Sequence, residues 1–166
     1  MELEKPTDRA ELEAVLKENR DLSEKDLSSL DLSGIKLMGF NGEKLNLSQA
    51  NLEMAIIAGA NLEGADLSGA QMTGANVAGA NFENVDLSGA NLTESRWMGV
   101  NVEGADFTGA ITTGAKSTAV SWSSAKVPPE ETPESLVVVP PWVPAAILGF
   151  VAVLVVLIVM GRKKKA

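Results

Sequence analysis

The sequence predicts an all-β solenoid with four flat sides, and three periodicities carry that prediction. Apolar residues recur every five positions from Leu22 to Phe107 (Leu22, Leu27, Leu32, Leu37, then Leu47 onward through Ile57, Met72, Phe82 and Trp97), with Gly42 as the single interruption. A second series stands two residues earlier; it begins bulky with Leu30, Ile35, Phe40 and Leu45 and becomes small from Ala50 to Ala80, returning as Ala90, Ala105 and Ala110. A longer period is superimposed on both: Glu43, Glu63, Glu83 and Glu103 repeat every twenty residues, as do Gly39, Gly59, Gly79 and Gly99. Five residues to a side and twenty to a turn give a four-sided coil, and about five coils between residues 20 and 126.

Each side follows from side-chain alternation. In extended chain the small residue and the apolar centre point inward, while the intervening Asn or Asp and the residue after the centre point outward. A repeat of five cannot sustain alternation with a period of two, so the chain breaks phase once per repeat. That break is a corner, and Gly64, Gly69, Gly74 and Gly89 supply residues suited to it. Stacked coils would lie roughly 4.8 Å apart, leaving an interior just wide enough for side chains.

Residues 1–19 read as a short capping helix. Asp8 followed by Glu11 resembles a capping box, and Leu12, Val15 and Leu16 form one apolar stripe that would cover the open edges of the first coil. After the solenoid, residues 127–142 carry Pro128, Pro129, Pro133, Pro140 and Pro141 with Glu130, Glu131 and Glu134. Such a linker is expected to continue neither helix nor ladder and to hold the prism off a membrane. Residues 143–160 then form a nearly uninterrupted apolar run of about 27 Å as a helix, a transmembrane length. Trp142 stands at one interface, and Arg162, Lys163, Lys164 and Lys165 form a basic tail over residues 161–166.

Segments such as Ala60 to Ala70 (ANLEGADLSGA) and Asn84 to Leu92 (NVDLSGANL) resemble the pentapeptide-repeat family, whose pattern is A(N/D)Lxx. The resemblance covers about residues 20 to 127 and implies a right-handed quadrilateral β-helix. Departures lie at Gly42, at Arg96 and Trp97, and after Ala110, where Thr112 and Ser117 replace the apolar centre; those last coils are expected to be irregular or loosely packed.

Composition narrows the function. The chain has no Cys and no His, which removes disulfides, thiolate metal sites and the usual neutral-pH base. No nucleophile has a recognisable base and the glycines are corners rather than a phosphate loop, so the chain reads as non-enzymatic, with no cofactor. The net charge is −8 despite the four-residue basic cluster, so the prism itself is strongly acidic.

Function must then lie on the faces. One carries the acidic column Glu43, Glu63, Glu83 and Glu103 beside an Asn column; the next carries Asp66, Asp86 and Asp106. These read either as a solvated face or as a surface for cations or a basic protein. The fourth face differs in kind. It presents Met38, Ala58, Ala78 and Met98 after the centre and Ile56 and Arg96 before it, with Lys36 and Lys116, and no carboxylate. It reads as a protein-binding or self-associating strip, or as the side that the N-terminal helix or linker covers.

The leading expectation is a single-pass membrane protein whose partners are the lipid bilayer and a protein chain, a second copy included, bound on that fourth face. The prism is expected on the cytoplasmic side, because Glu2, Glu4 and Lys5 precede no signal-peptide core; the basic tail argues for the extracytoplasmic alternative. Two other readings are an acidic ladder for cations or mineral surfaces and, from the family resemblance, a DNA-mimicking topoisomerase inhibitor. A nucleic-acid partner is not expected of so acidic a surface.

Overall fold

The computed structural model describes residues 9–135. The chain forms an all-β parallel solenoid preceded by one helix, α1 (Arg9–Glu18). The regular strands all lie on one side: β1 (Lys36–Met38), β2 (Ile56–Ala58), β3 (Asn76–Ala78), β4 (Arg96–Met98), β5 (Lys116–Thr118) and the short β6 (Glu134–Ser135). They pair in chain order as a six-stranded parallel sheet. Lys36 pairs with Ile56, Ile56 with Asn76, Asn76 with Arg96 and Arg96 with Lys116, a constant step of twenty residues. The rungs β1 to β5 are thus separated by four full turns. The other sides stack through single bridges in the same register, such as Asn41 with Asn61 and Asn61 with Asn81.

Corners explain why the repeat has five residues. A left-handed residue stands at every fifth position, for example Gly59 at φ 60°, Gly64 at 66° and Gly69 at 65°. Left-handed backbone crowds a Cβ against the carbonyl, which is why glycine dominates there. Lys44, Gln49, Met54, Asn84 and Glu94 nevertheless occupy the same conformation.

The core is a single column of inward side chains. The apolar centres are fully buried from Leu22 to Phe107. Where the sequence interrupts them, the volume is exchanged locally. A Cβ at Gly42 would lie 2.7 Å from Phe40 Cε2 and 3.1 Å from Leu62 Cδ2, so the Phe40 ring occupies the space that a centre residue fills elsewhere. At the other end Trp97 is fully buried and meets Phe82 edge-on at 5.2 Å between ring centroids. Its indole N–H donates to Ser95 Oγ at 2.9 Å, and that hydroxyl donates to the Leu92 carbonyl at 2.6 Å. Ser95 stands where most coils have Ala because a buried indole N–H needs an acceptor.

Both ends are closed. Leu12 of α1 is fully buried, with Val15 and Leu16 packed partly against the same cluster, so the predicted stripe caps the first coil. Arg9 ties the helix down by donating to the Ser33 carbonyl at 2.5 Å. Asp8, the expected cap residue, lies outside the described residues.

The C-terminal end corrects two expectations. The last coil is irregular, as expected, stepping twenty-one residues from Asp106 to Val127, but its polar centres are buried and have partners. Thr112 Oγ1 donates to the Glu131 carbonyl, and Ser117 Oγ to the Pro133 carbonyl at 3.4 Å. The proline-rich segment also continues the ladder over residues 127–135. Val127 pairs with Asp106, Phe107 N–H donates to the Val127 carbonyl at 2.9 Å, and β6 pairs with β5. A 3-10 turn at Trp122–Ser124 precedes this crossing. Proline lacks an N–H but keeps its carbonyl, so Pro133 can accept from below while Glu134 N–H donates to the Ala115 carbonyl at 3.0 Å. The segment is therefore a lid on the last coil, with Pro129 and Pro133 buried.

Among the described residues no helix is long and apolar enough to cross a membrane. The predicted span 143–160, with Trp142, Arg162, Lys163, Lys164 and Lys165, lies outside the described residues.

Candidate functional site

The outward columns fall into two kinds: those whose side chains are engaged by the fold and those that are free for a partner. In the Asn column, Asn61 Nδ2 donates to Asn41 Oδ1 at 3.1 Å, Asn81 to Asn61 at 3.0 Å and Asn101 to Asn81 at 2.9 Å. This amide ladder runs along the prism and links coils of identical register. The Asp column is engaged too. Asp66 and Asp86 each accept the backbone N–H two residues on, from Ser68 and Ser88, at 2.8 Å. Asp106 accepts from the Thr108 hydroxyl at 2.6 Å and its N–H at 2.9 Å, with Lys126 Nζ 3.5 Å away. These bonds, the Thr108 hydroxyl above all, hold the Asp106 carboxyl below its ordinary range. Asn or Asp before each apolar centre is thereby explained as a turn former.

The Glu column remains solvent-facing. Glu43 pairs with its neighbour Lys44 at 3.3 Å, and Glu63 and Glu103 are exposed, with Glu83 half-buried. Glu43, Glu63, Glu83 and Glu103 supply one carboxylate per turn. Among the described residues no three carboxylates, from this column or from Asp66, Asp86 and Asp106, converge into a group that could hold a metal ion.

The fourth face is the one on which β1 to β5 pair, and its outward residues are open. Met38 is 57% exposed and Met98 46%; Arg96 is exposed, and Ile56, Ala58 and Ala78 are half-buried. At the centre of the strip, the amide oxygen of Asn76 is buried without a hydrogen-bond partner among the described residues. No carboxylate occurs in β1 to β5, whose sequences are KLM, IIA, NVA, RWM and KST.

A feature that the repeat pattern did not disclose adjoins this face. A cavity of about 370 Å³ between α1 and β1 is lined by Glu13, Leu16, Lys17, Arg20, Lys36 and Met38. Arg20 shares the coil position of Phe40, Ala60 and Ala80, its carbonyl accepting Asn41 N–H as theirs accept Asn61, Asn81 and Asn101 N–H, whereas Lys17 lies on α1 outside the five-residue register. Glu13 is held by Arg9 at 2.8 Å.

The family model described as Pentapeptide repeats (8 copies) matches residues 46–84 and 86–116. The chain belongs to the pentapeptide-repeat family. Solved structures of the family resemble it. HetL, a pentapeptide repeat protein involved in heterocyst differentiation regulation from the cyanobacterium Nostoc sp. strain PCC 7120, is 31% identical, with a TM-score of 0.56 over 68% of this chain and 51% of that one. A pentapeptide repeat protein of the Arabidopsis thaliana thylakoid lumen is 32% identical over 65% of this chain and 67% of that one, with a TM-score of 0.40. Rfr23 from the cyanobacterium Cyanothece 51142 is 29% identical over 59% of this chain and 64% of that one, with a TM-score of 0.38. This chain spans about half the length of HetL. No curated protein sequence matches it. Within this pentapeptide-repeat protein the engaged Asn and Asp columns belong to the fold, and the Glu column and the strip on β1 to β5 stay open to solvent.

Proposed function

We propose that this pentapeptide-repeat protein is a non-enzymatic, membrane-anchored docking scaffold. The apolar run 143–160 sets its location, and the strip Met38, Ile56, Ala58, Ala78, Arg96 and Met98 presents a docking surface to another protein chain. The observation that carries the reading is the contrast between faces. The other sides of an acidic prism carry mainly polar or carboxylate columns, with Met54 and Ile111 as isolated exposed apolar residues, while the fourth lines up Met38 and Met98 in one column beside the exposed cations Lys36 and Arg96, with no acid in β1 to β5. Flexible thioethers on a flat surface adapt to a partner, and a basic rim selects its charge. A partly apolar strip beside solubilising columns is the arrangement expected of an interface.

The test substitutes Ile56→Glu together with Met98→Glu in the full-length chain. Complexes solubilised from native membranes are sized by sedimentation. Wild type is expected above the mass of one chain plus its detergent, and the double variant at that mass. Equal masses for the two would remove this face from consideration; a wild-type mass of twice the chain would identify the partner as a second copy. Anchoring is tested separately by alkaline extraction of membranes. The full chain should stay with the bilayer, and deletion of residues 143–166 should release it.

A further inference from the structure

We infer that the cavity between α1 and β1 is the anion-holding end of the docking strip and receives the carboxylate side chains of an acidic peptide segment of the protein partner. This rests on the docking reading of the fourth face. Lys17, Arg20 and Lys36 line one cavity in a chain of net charge −8. None of the three has an ion-pair partner among the described residues, and the carboxylate in the lining, Glu13, is taken by Arg9 at 2.8 Å. Three cations facing one space repel one another unless an anion enters.

The cations stand on firm supports. Lys36 is on β1, paired to β2. Arg20 is fixed by its carbonyl, which accepts Asn41 N–H at 2.8 Å. Its guanidinium lies along the Gly39 corner, where an added Cβ would sit 3.4 Å from Arg20 Nη1. A guanidinium lining a cavity suits a carboxylate, which it can bind through two parallel N–H donors. Leu16 and Met38 give the same cavity an apolar wall.

The fourth face continues the pattern away from the cavity. With rungs about 4.8 Å apart, Arg96 lies about 14 Å from Lys36 along the prism, and Lys116, which has Glu134 of β6 on the next rung of its column, about 19 Å. Between them stand Ile56, Ala58, Asn76 and Ala78. An extended segment rises about 3.3 Å per residue, so roughly six residues span that distance. The complementary ligand is therefore short, acidic at both ends and apolar in the middle. A lone phosphate would use the cavity and leave the strip idle.

The full-length chain in neutral detergent is titrated into a fluorescein-labelled octapeptide with two glutamates at each end and Val-Ala-Leu-Ala between them, read by anisotropy. Saturable binding that weakens with salt is expected. Arg20→Gln with Lys36→Gln should raise Kd at least tenfold, and Lys44→Gln, on the neighbouring side, should leave it within twofold. Melting temperature is measured for each variant. Should the double variant melt lower, Lys17→Gln on the exposed side of α1 replaces it, with a threefold rise expected. No saturable binding, an unchanged Kd, or equal competition by inorganic phosphate or phosphatidylserine vesicles would overturn the inference. Loss of the partner complex in Ile56→Glu with Met98→Glu, alongside unchanged peptide binding in the cavity variants, would defeat this inference and leave the docking face standing.

Discussion

The exchange of volume between Phe40 and Gly42 gives a quantitative test of how the prism is packed. Phe40 is 2% exposed, and its ring stands where every regular coil has an apolar centre. Phe40→Ala alone opens a cavity that neighbouring rungs, pinned by their ladders, cannot collapse; the expected loss is about 3–5 kcal/mol. Gly42→Leu alone would place a Cβ 2.7 Å from Phe40 Cε2 and 3.2 Å from Leu45 Cδ2, with the rest of the side chain still to fit. Overpacking of that kind costs about 1–3 kcal/mol. Made together, the two changes restore the pairing seen at Ala60 and Leu62, and the double variant should lie within about 1 kcal/mol of wild type. The coupling energy is then about 3 kcal/mol or more, far outside the additivity of independent sites. Urea unfolding of the compact unit Met1–Leu136, followed by the fluorescence of Trp97 and Trp122, reads all four proteins. Unchanged m-values with additive destabilisation would refute the claim that these two residues share one space.

Other outcomes follow from single sites. Asn76→Val should raise stability by about 1–2 kcal/mol in urea unfolding, because it removes a buried amide oxygen that lacks a partner among the described residues while keeping the strand shape; a loss would mean that the amide is engaged. Met54→Gly should stabilise by about 1 kcal/mol by relieving a left-handed residue at φ 56°, and Gly59→Ala, at φ 60° with open space around it, should destabilise by a similar amount. The carboxyls of Asp21, Asp31 and Asp106 are held below the ordinary 3.8, chiefly by the Ser23 hydroxyl, the Ser33 N–H and the Thr108 hydroxyl respectively. Depressed values of this kind contribute stability that is complete above the unfolded value and lost as pH falls through the folded one, so the acid limb should begin near 3.8 and finish below it. Thr108→Ala should move the NMR-detected titration of Asp106 upward toward 3.8; an unmoved curve would deny the hydroxyl its role.

What the sequence disclosed was whatever repeats. Inward centres, corners and the twenty-residue turn are enforced at every coil, so a pattern of residues reports them directly. The fourth face was legible for the same reason: Lys36, Ile56, Asn76 and Arg96 fall in one column as soon as the turn length is known. The features that stayed hidden depend on contacts made once. Thr112 and Ser117 looked like failures of the core; they are hydroxyls facing carbonyls of a returning segment, whose prolines concealed its capacity to accept hydrogen bonds. The Asp residues looked like a charged display because composition does not show that Asp66 and Asp86 turn back onto Ser68 and Ser88. Ser95 with Trp97 carried a signal: a serine in the small-residue series two positions before an indole predicts a buried hydrogen bond. The cavity left no signal, because Arg20 and Lys36 hold register positions but the approach of Lys17 to them is set by how α1 docks.

The docking claim is tested most directly by placing a photo-reactive phenylalanine analogue at one outward position per side in the full-length chain: Glu83, Asp86, Thr73 and Ala78. After irradiation of intact membranes, protein adducts are expected from Ala78, on the strip, and none from the other three. Adducts from Glu83 or Asp86 with none from Ala78 would contradict the account and move the interface to the acidic columns.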